Sequence, residues 1–157
     1  MKLPDAREIA EGCPPPAAAA QSARIFRALQ ATPVTHAAGI QTTPLLVPDT
    51  AGCFCGISVY PEGSAAPLHR HNCAEQIVVL QGQAELHVGD QCWQLGPRDA
   101  GWIPANLDHR YRNCGVGELH LLWIYERRDA TRTLSADGVT VPMLAPAPSS
   151  PPPGDPS

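Results

Sequence analysis

The sequence predicts one all-β domain, closed as a barrel or a sandwich, and three observations carry that expectation. Between about residue 40 and residue 126, short apolar or alternating runs recur with turn signals between them. The 157 residues include 18 prolines and 13 glycines, too many for a mostly helical protein. The length suits one domain and leaves little room for a second, while an apolar share of 43% is enough for one core.

Residues 1–40 read as an N-terminal extension. Pro14-Pro15-Pro16 precedes an Ala-rich stretch to Gln30 in which Ile25, Phe26 and Leu29 share a helical face, and Thr32-Pro33 ends that pattern, so one short helix is expected. Strands follow near 45–47, 53–60, 67–71, 75–81, 83–88, 91–95, 101–103, 108–113 and 118–126. Pro61-Glu62-Gly63, Gln81-Gly82-Gln83, Gly89-Asp90, Gly96-Pro97 and Gly115-Val116-Gly117 supply the reversals. So many short strands favour a closed architecture, because an open sheet would leave edges exposed; periodicity does not choose between barrel and sandwich. The domain is taken as residues 41–143. Six of the fourteen residues from 144 to 157 are proline, a composition that buries too little apolar surface to offset ordering, so a disordered tail is expected.

Eleven Lys and Arg against fifteen Asp and Glu give a formal charge of −4, which supplies no broad basic field for phosphate backbones. Nucleic acid is therefore not an expected partner. No stretch approaches the roughly 20 apolar residues that cross a bilayer, and the first residues, Met1 to Glu8, are charged where an export signal is apolar. These features predict a soluble, cytoplasmic chain whose six cysteines remain thiols.

Candidate chemistry concentrates between Gly63 and Gly82. Side chains alternate along a strand, so His69 and His71 project to one face, and after a brief turn Glu75 opens the next strand facing them. His109 follows a proline turn at Pro104 and offers a fourth donor from elsewhere in the chain. Imidazoles with one carboxylate suit a divalent metal of the Mn, Fe, Ni, Co or Zn group. His36, His87 and His120 have no partner at ligand spacing and are expected at the surface or satisfied in the core.

The first stretch resembles the first cupin motif, with Gly63, His69, His71, Glu75 and Gly82 all in place. The second is similar to the second cupin motif through Pro104, His109 and Asn113, but Arg98 and Asn106 stand where glycine is usual. The resemblance spans about residues 45 to 126. It implies a double-stranded β-helix, jelly-roll-like barrel with one metal inside, held by His69, His71, Glu75 and His109, and a homodimer formed through the sheets.

Two further residues are candidates for catalysis. Cys73, between His71 and Glu75, is either a buried packing group or a thiol whose pKa falls near the cation. Tyr111, two residues beyond His109, points inward with it as a proton carrier or a barrel packing group. Trp102, Trp123 and Tyr125 are expected as wall or interface aromatics, and Arg70, Arg110, Arg112 and Gln76 as outward-facing. Cys53, Cys55, Cys92 and Cys114 are expected to be structural.

Such a site predicts a metal-dependent enzyme of a small, polar hydroxy-carbonyl metabolite, sugar phosphates included, working by enediolate chemistry as an isomerase, lyase or thiol-dependent transferase. A low-molecular-weight thiol is then a candidate co-substrate. An iron-dependent dioxygenase is the alternative, and a non-catalytic, metal-dependent binding or regulatory module the third reading.

Overall fold

The computed structural model describes residues 26–45 and 52–143. They fold into two facing antiparallel sheets of six strands each. The chain enters through β1 (Val34–Thr35) and β2 (Gln41–Pro44), crosses β3 (Phe54–Tyr60), and turns into β4 (His69–His71) and β5 (Glu75–Gln81). There follow β6 (Ala84–Val88), β7 (Gln91–Leu95), β8 (Ala100–Ile103), β9 (His109–Asn113) and β10 (Leu119–Tyr125), then β11 (Thr131–Leu134) and β12 (Thr140–Pro142). The first sheet has the order β1-β2-β3-β10-β5-β8 and the second β12-β11-β4-β9-β6-β7.

Strand alternation builds the core. Every second residue of β3 and β10 is buried, which brings Phe54, Tyr60, Leu119, Leu121, Trp123 and Tyr125 between the sheets. Strand β9 does the same from the second sheet with His109, Tyr111 and Asn113. Ile77 and Val79 of β5 and Leu86 of β6 complete the apolar part.

Two glycines are fixed by close approach. A Cβ at Gly56 would lie 2.1 Å from Cζ2 of Trp123, so its absence makes room for the indole. At Gly82 φ is +83° and a Cβ would sit 2.6 Å from the carbonyl oxygen of Glu118. Arg98 and Asn106, which occupy the usual glycine positions of the second motif, take the same left-handed region at φ 79° and 62°. The turns therefore keep their shape without glycine, at a cost on the order of 1 kcal/mol each. Asn106 is anchored there by its N–H to the His71 carbonyl at 2.7 Å.

Several expectations need correction. Of the strand expected at 45–47 only Leu45 is described, outside any strand, and residues 46 and 47 lie outside the described residues; the strand Gln41–Pro44 before it is not among those expected, and forms because Thr42 and Thr43 pair in register with Ser58 and Ile57 of β3. The strand expected at 67–71 begins only at His69, after Pro67, which has no N–H to donate. Of the expected N-terminal helix only the end is described, and it is a 3-10 turn, Ala28–Gln30, with no buried residue. The expected tail from residue 144 also lies outside the described residues. Strands β1, β11 and β12 escape sequence patterning because none alternates between buried and exposed positions; pairing with neighbouring edges recruits them.

Candidate metal centre

Three strands bring the candidate ligands together, β4 and β9 of the second sheet and β5 of the first. His69 and His71 are the buried positions of β4, and His69 pairs directly with His109 of β9. Glu75 starts β5 across the interior. All four are nearly solvent-free: His69 6%, His71 2%, Glu75 3% and His109 1% exposed.

Each imidazole is oriented by the backbone. Nδ1 of His69 faces the Pro67 carbonyl at 2.7 Å, that of His71 the Thr131 carbonyl at 2.9 Å, and that of His109 the Leu107 carbonyl at 2.9 Å. A carbonyl only accepts, so the proton of each neutral ring lies on Nδ1 and the Nε2 lone pair is left for the interior. The three rings bring ligand atoms within 4.8 Å of one another. Oε2 of Glu75 lies 2.9 Å from Nε2 of His109 and 3.7 Å from that of His71.

That donor set fits a divalent cation. Two donors bound at about 2.1 Å and at right angles stand about 3 Å apart, the separation between Glu75 and His109. Two acceptor atoms at that distance need a positive group between them, either a proton or a metal. Burial, with His109 beside it, holds His69 down to about 4, so this ring stays neutral. Burial also lowers His71. For His109 burial works the same way but is outweighed by the hydrogen bond and charge of Glu75, which raise it. The carboxyl of Glu75 is lowered, because His109 and the neighbouring imidazoles together outweigh its burial.

Tyrosines finish the cluster. Tyr111 points inward, as its spacing from His109 implies, and donates to Oε2 of Glu75 at 3.1 Å. Tyr125 lies 3.3 Å from Nε2 of His71, a placement sequence reading does not supply, since β10 reaches the site from the opposite sheet. Asn113, the last residue of the second motif, is a clasp. Its Nδ2 donates to the carbonyls of Tyr60 and Gly117 and its Oδ1 accepts from Gly115.

Cys73 packs into the apolar core. It is buried among apolar neighbours, 2% exposed, and is not among the residues that line the cavity. Burial and the charge of Glu126 push its thiol up. The packing alternative is the one its position supports. Arg70 pairs with Asp108, Arg112 with Glu85 and His120 with Glu118 at the surface, and Trp102 is 66% exposed on an edge strand.

A cavity of about 620 Å3 is lined by His69 and Glu75 of the centre and walled by Tyr60, Ile77, Tyr111, Leu121, Trp123 and Tyr125. Val34 of β1, His36 and Ile40 after it, Val141 of β12 and Met143 just beyond it also line the cavity. Arg132 of β11 also lines it, and no sequence feature marks that residue in advance. It makes no ion pair among the described residues, and its Nε is buried without a hydrogen-bond partner.

Comparison with known proteins agrees with this architecture. Residues 56–125 match the family model described as Cupin domain. Protein SchB of Streptomyces halstedii is 33% identical over 107 residues, covering 66% of this chain and 77% of that protein. Polyketide synthase CurC of Streptomyces cyaneus is 29% identical over 82 residues, 52% of this chain and 53% of that protein, so the chain spans only about half of it. The solved structure of KdgF from Halomonas sp. superposes with a TM-score of 0.59 at 22% identity, covering 69% of this chain and 97% of that one. The chain belongs to the cupin family.

Proposed function

We propose that this cupin is a metal-dependent enzyme acting on a small, enolisable hydroxy-carbonyl or dicarbonyl compound with an apolar body and an anionic group. The convergence of three Nδ1-anchored imidazoles and one carboxylate at the head of an aromatic cavity carries this reading. His69, His71, His109 and Glu75 would hold the ion, which when bound supplies Lewis-acid polarisation of a carbonyl oxygen.

The protein's own groups divide the remaining work. Tyr111, with its hydroxyl on Glu75, stands where a proton can be held beside the reacting oxygens. Tyr125 has its hydroxyl 3.3 Å from the same Nε2 of His71 that would hold the ion, so this hydroxyl stands beside the metal position. The largely apolar wall suits an aromatic or polyketide-like body better than the sugar phosphates named among the sequence expectations, and the relation to a polyketide synthase protein points the same way. Arg132 gives the cavity one unpaired cation for a carboxylate or enolate. Cys73 lies in the apolar core and not on the cavity wall, so this reading gives its thiol no transfer step.

The outer face of the first sheet supports pairing of two copies. Ile57, Val78, Leu122 and Ile124 sit flush on it beside exposed Leu80 and Trp102. The outer face of the second sheet instead presents Glu85, His87, Arg110 and Arg112.

Elemental analysis of protein purified without added metal, followed by substrate screens with and without oxygen, tests the reading. Bound divalent metal and conversion under anaerobic conditions support it. Strict oxygen dependence would establish a dioxygenase instead, and metal-dependent binding with no conversion a binding module.

A further inference from the structure

A thiol, an imidazole and a carboxylate meet outside the barrel, where the central site has no part. Glu85 and His87 are alternate residues of β6 and share its outward face, and the β6–β7 hairpin sets Cys92 directly across from His87. Oε1 of Glu85 is 2.6 Å from Nε2 of His87. Sγ of Cys92 lies 3.4 Å from that oxygen and 3.8 Å from that nitrogen. The sequence reading that makes His87 partnerless and Cys92 structural overlooks this cross-strand pairing.

The same separations distinguish two chemistries. In a nucleophile triad the imidazole offers one nitrogen to the thiol and the other to the carboxylate. Here both partners face Nε2, so no proton relay is built. A tetrahedral ion with bonds of about 2.3 Å to sulfur and about 2.0 Å to nitrogen or oxygen needs sulfur separations of about 3.5 Å and a nitrogen–oxygen separation of about 3.3 Å. The two sulfur distances lie close to that value, and the shorter third distance is the hydrogen bond an ion would replace.

We infer that Glu85, His87 and Cys92 form a second metal site, on the outer surface of the barrel, for a thiophilic divalent ion of the zinc class. On binding, the Cys92 thiol gives up its proton to solvent, the proton that His87 Nε2 shares with Glu85 moves to Nδ1 through solvent, sulfur–metal and nitrogen–metal bonds form, and no electron is exchanged. Arg112, 3.5 Å from Oε2 of Glu85, holds the carboxylate so that Oε1 stays turned to the ion. Cys92 is exposed beside the half-buried Glu85 and His87, which leaves the fourth position to water.

Cobalt(II) separates this site from the central one, whose four donors include no sulfur. Titration of Co(II) into the metal-stripped full chain, kept reduced without a chelating thiol, is expected to give a near-ultraviolet sulfur-to-cobalt charge-transfer band. The band should persist in His71→Ala, vanish in Cys92→Ser, and need at least about 10-fold more cobalt in His87→Ala. Zinc content should fall by about one ion per chain in Cys92→Ser with the far-ultraviolet spectrum unchanged. No band in the wild type at excess cobalt, or an undiminished band in Cys92→Ser, overturns the proposal whatever happens at the central site.

Discussion

His71 is held at Nδ1 by the Thr131 carbonyl, which turns its Nε2 to the interior for an ion. His71→Ala is therefore expected to lower metal affinity by at least about 10-fold, read by elemental analysis, while circular dichroism shows the barrel intact. Arg132 makes a contrasting prediction. Arg132→Met should leave metal content unchanged and raise KM for anionic substrates by about 10-fold or more, a charge-assisted hydrogen bond being worth about 1.5–3 kcal/mol. Equal KM values for the two proteins would remove Arg132 from substrate binding. Cys73→Ser should retain both metal and turnover and lower stability only, in a denaturant melt, because a buried thiol is replaced by a more polar hydroxyl. Lost turnover at full metal occupancy would restore a chemical role to Cys73.

At the level of elements, the features that carry the fold are loops held by buried groups. Asn113 satisfies three backbone partners from one amide, so Asn113→Ala should cost about 2–4 kcal/mol in urea unfolding. Gly56→Ala sets a methyl against the Trp123 ring and should cost about 1–3 kcal/mol while narrowing the cavity that ring walls. How much of this can be read in advance depends on how local the cause is. The inward pairing of His69 and His71, and the inward turn of Tyr111 after His109, follow from alternation within single strands. Tyr125 and Arg132 reach the site only because β10 and β11 pair with distant partners, and β11, with the sequence Thr-Arg-Thr-Leu, has no pattern that announces a strand. Cys92 is an intermediate case. Its contact with His87 could be found by folding the Gly89-Asp90 hairpin on paper, since the strands on either side fix the register.

For the whole molecule, the contrast between the two outer sheet faces sets the expected assembly. The flush aliphatic face of the first sheet, with Trp102 at its edge, is proposed to pair with a second copy about a two-fold axis. Leu122→Asp should then shift sedimentation from dimer to monomer, and a monomeric wild type would remove that proposal. Val34 and Val141 line the cavity from edge strands of the two sheets, and Met143 from just beyond β12, so substitutions there can retune which guests are admitted without touching the histidines. One thread ties the two together. The peptide oxygen at Thr131 that steers His71 belongs to the same strand that carries Arg132, so a graft that reshapes this lining inherits the aim of an imidazole with it.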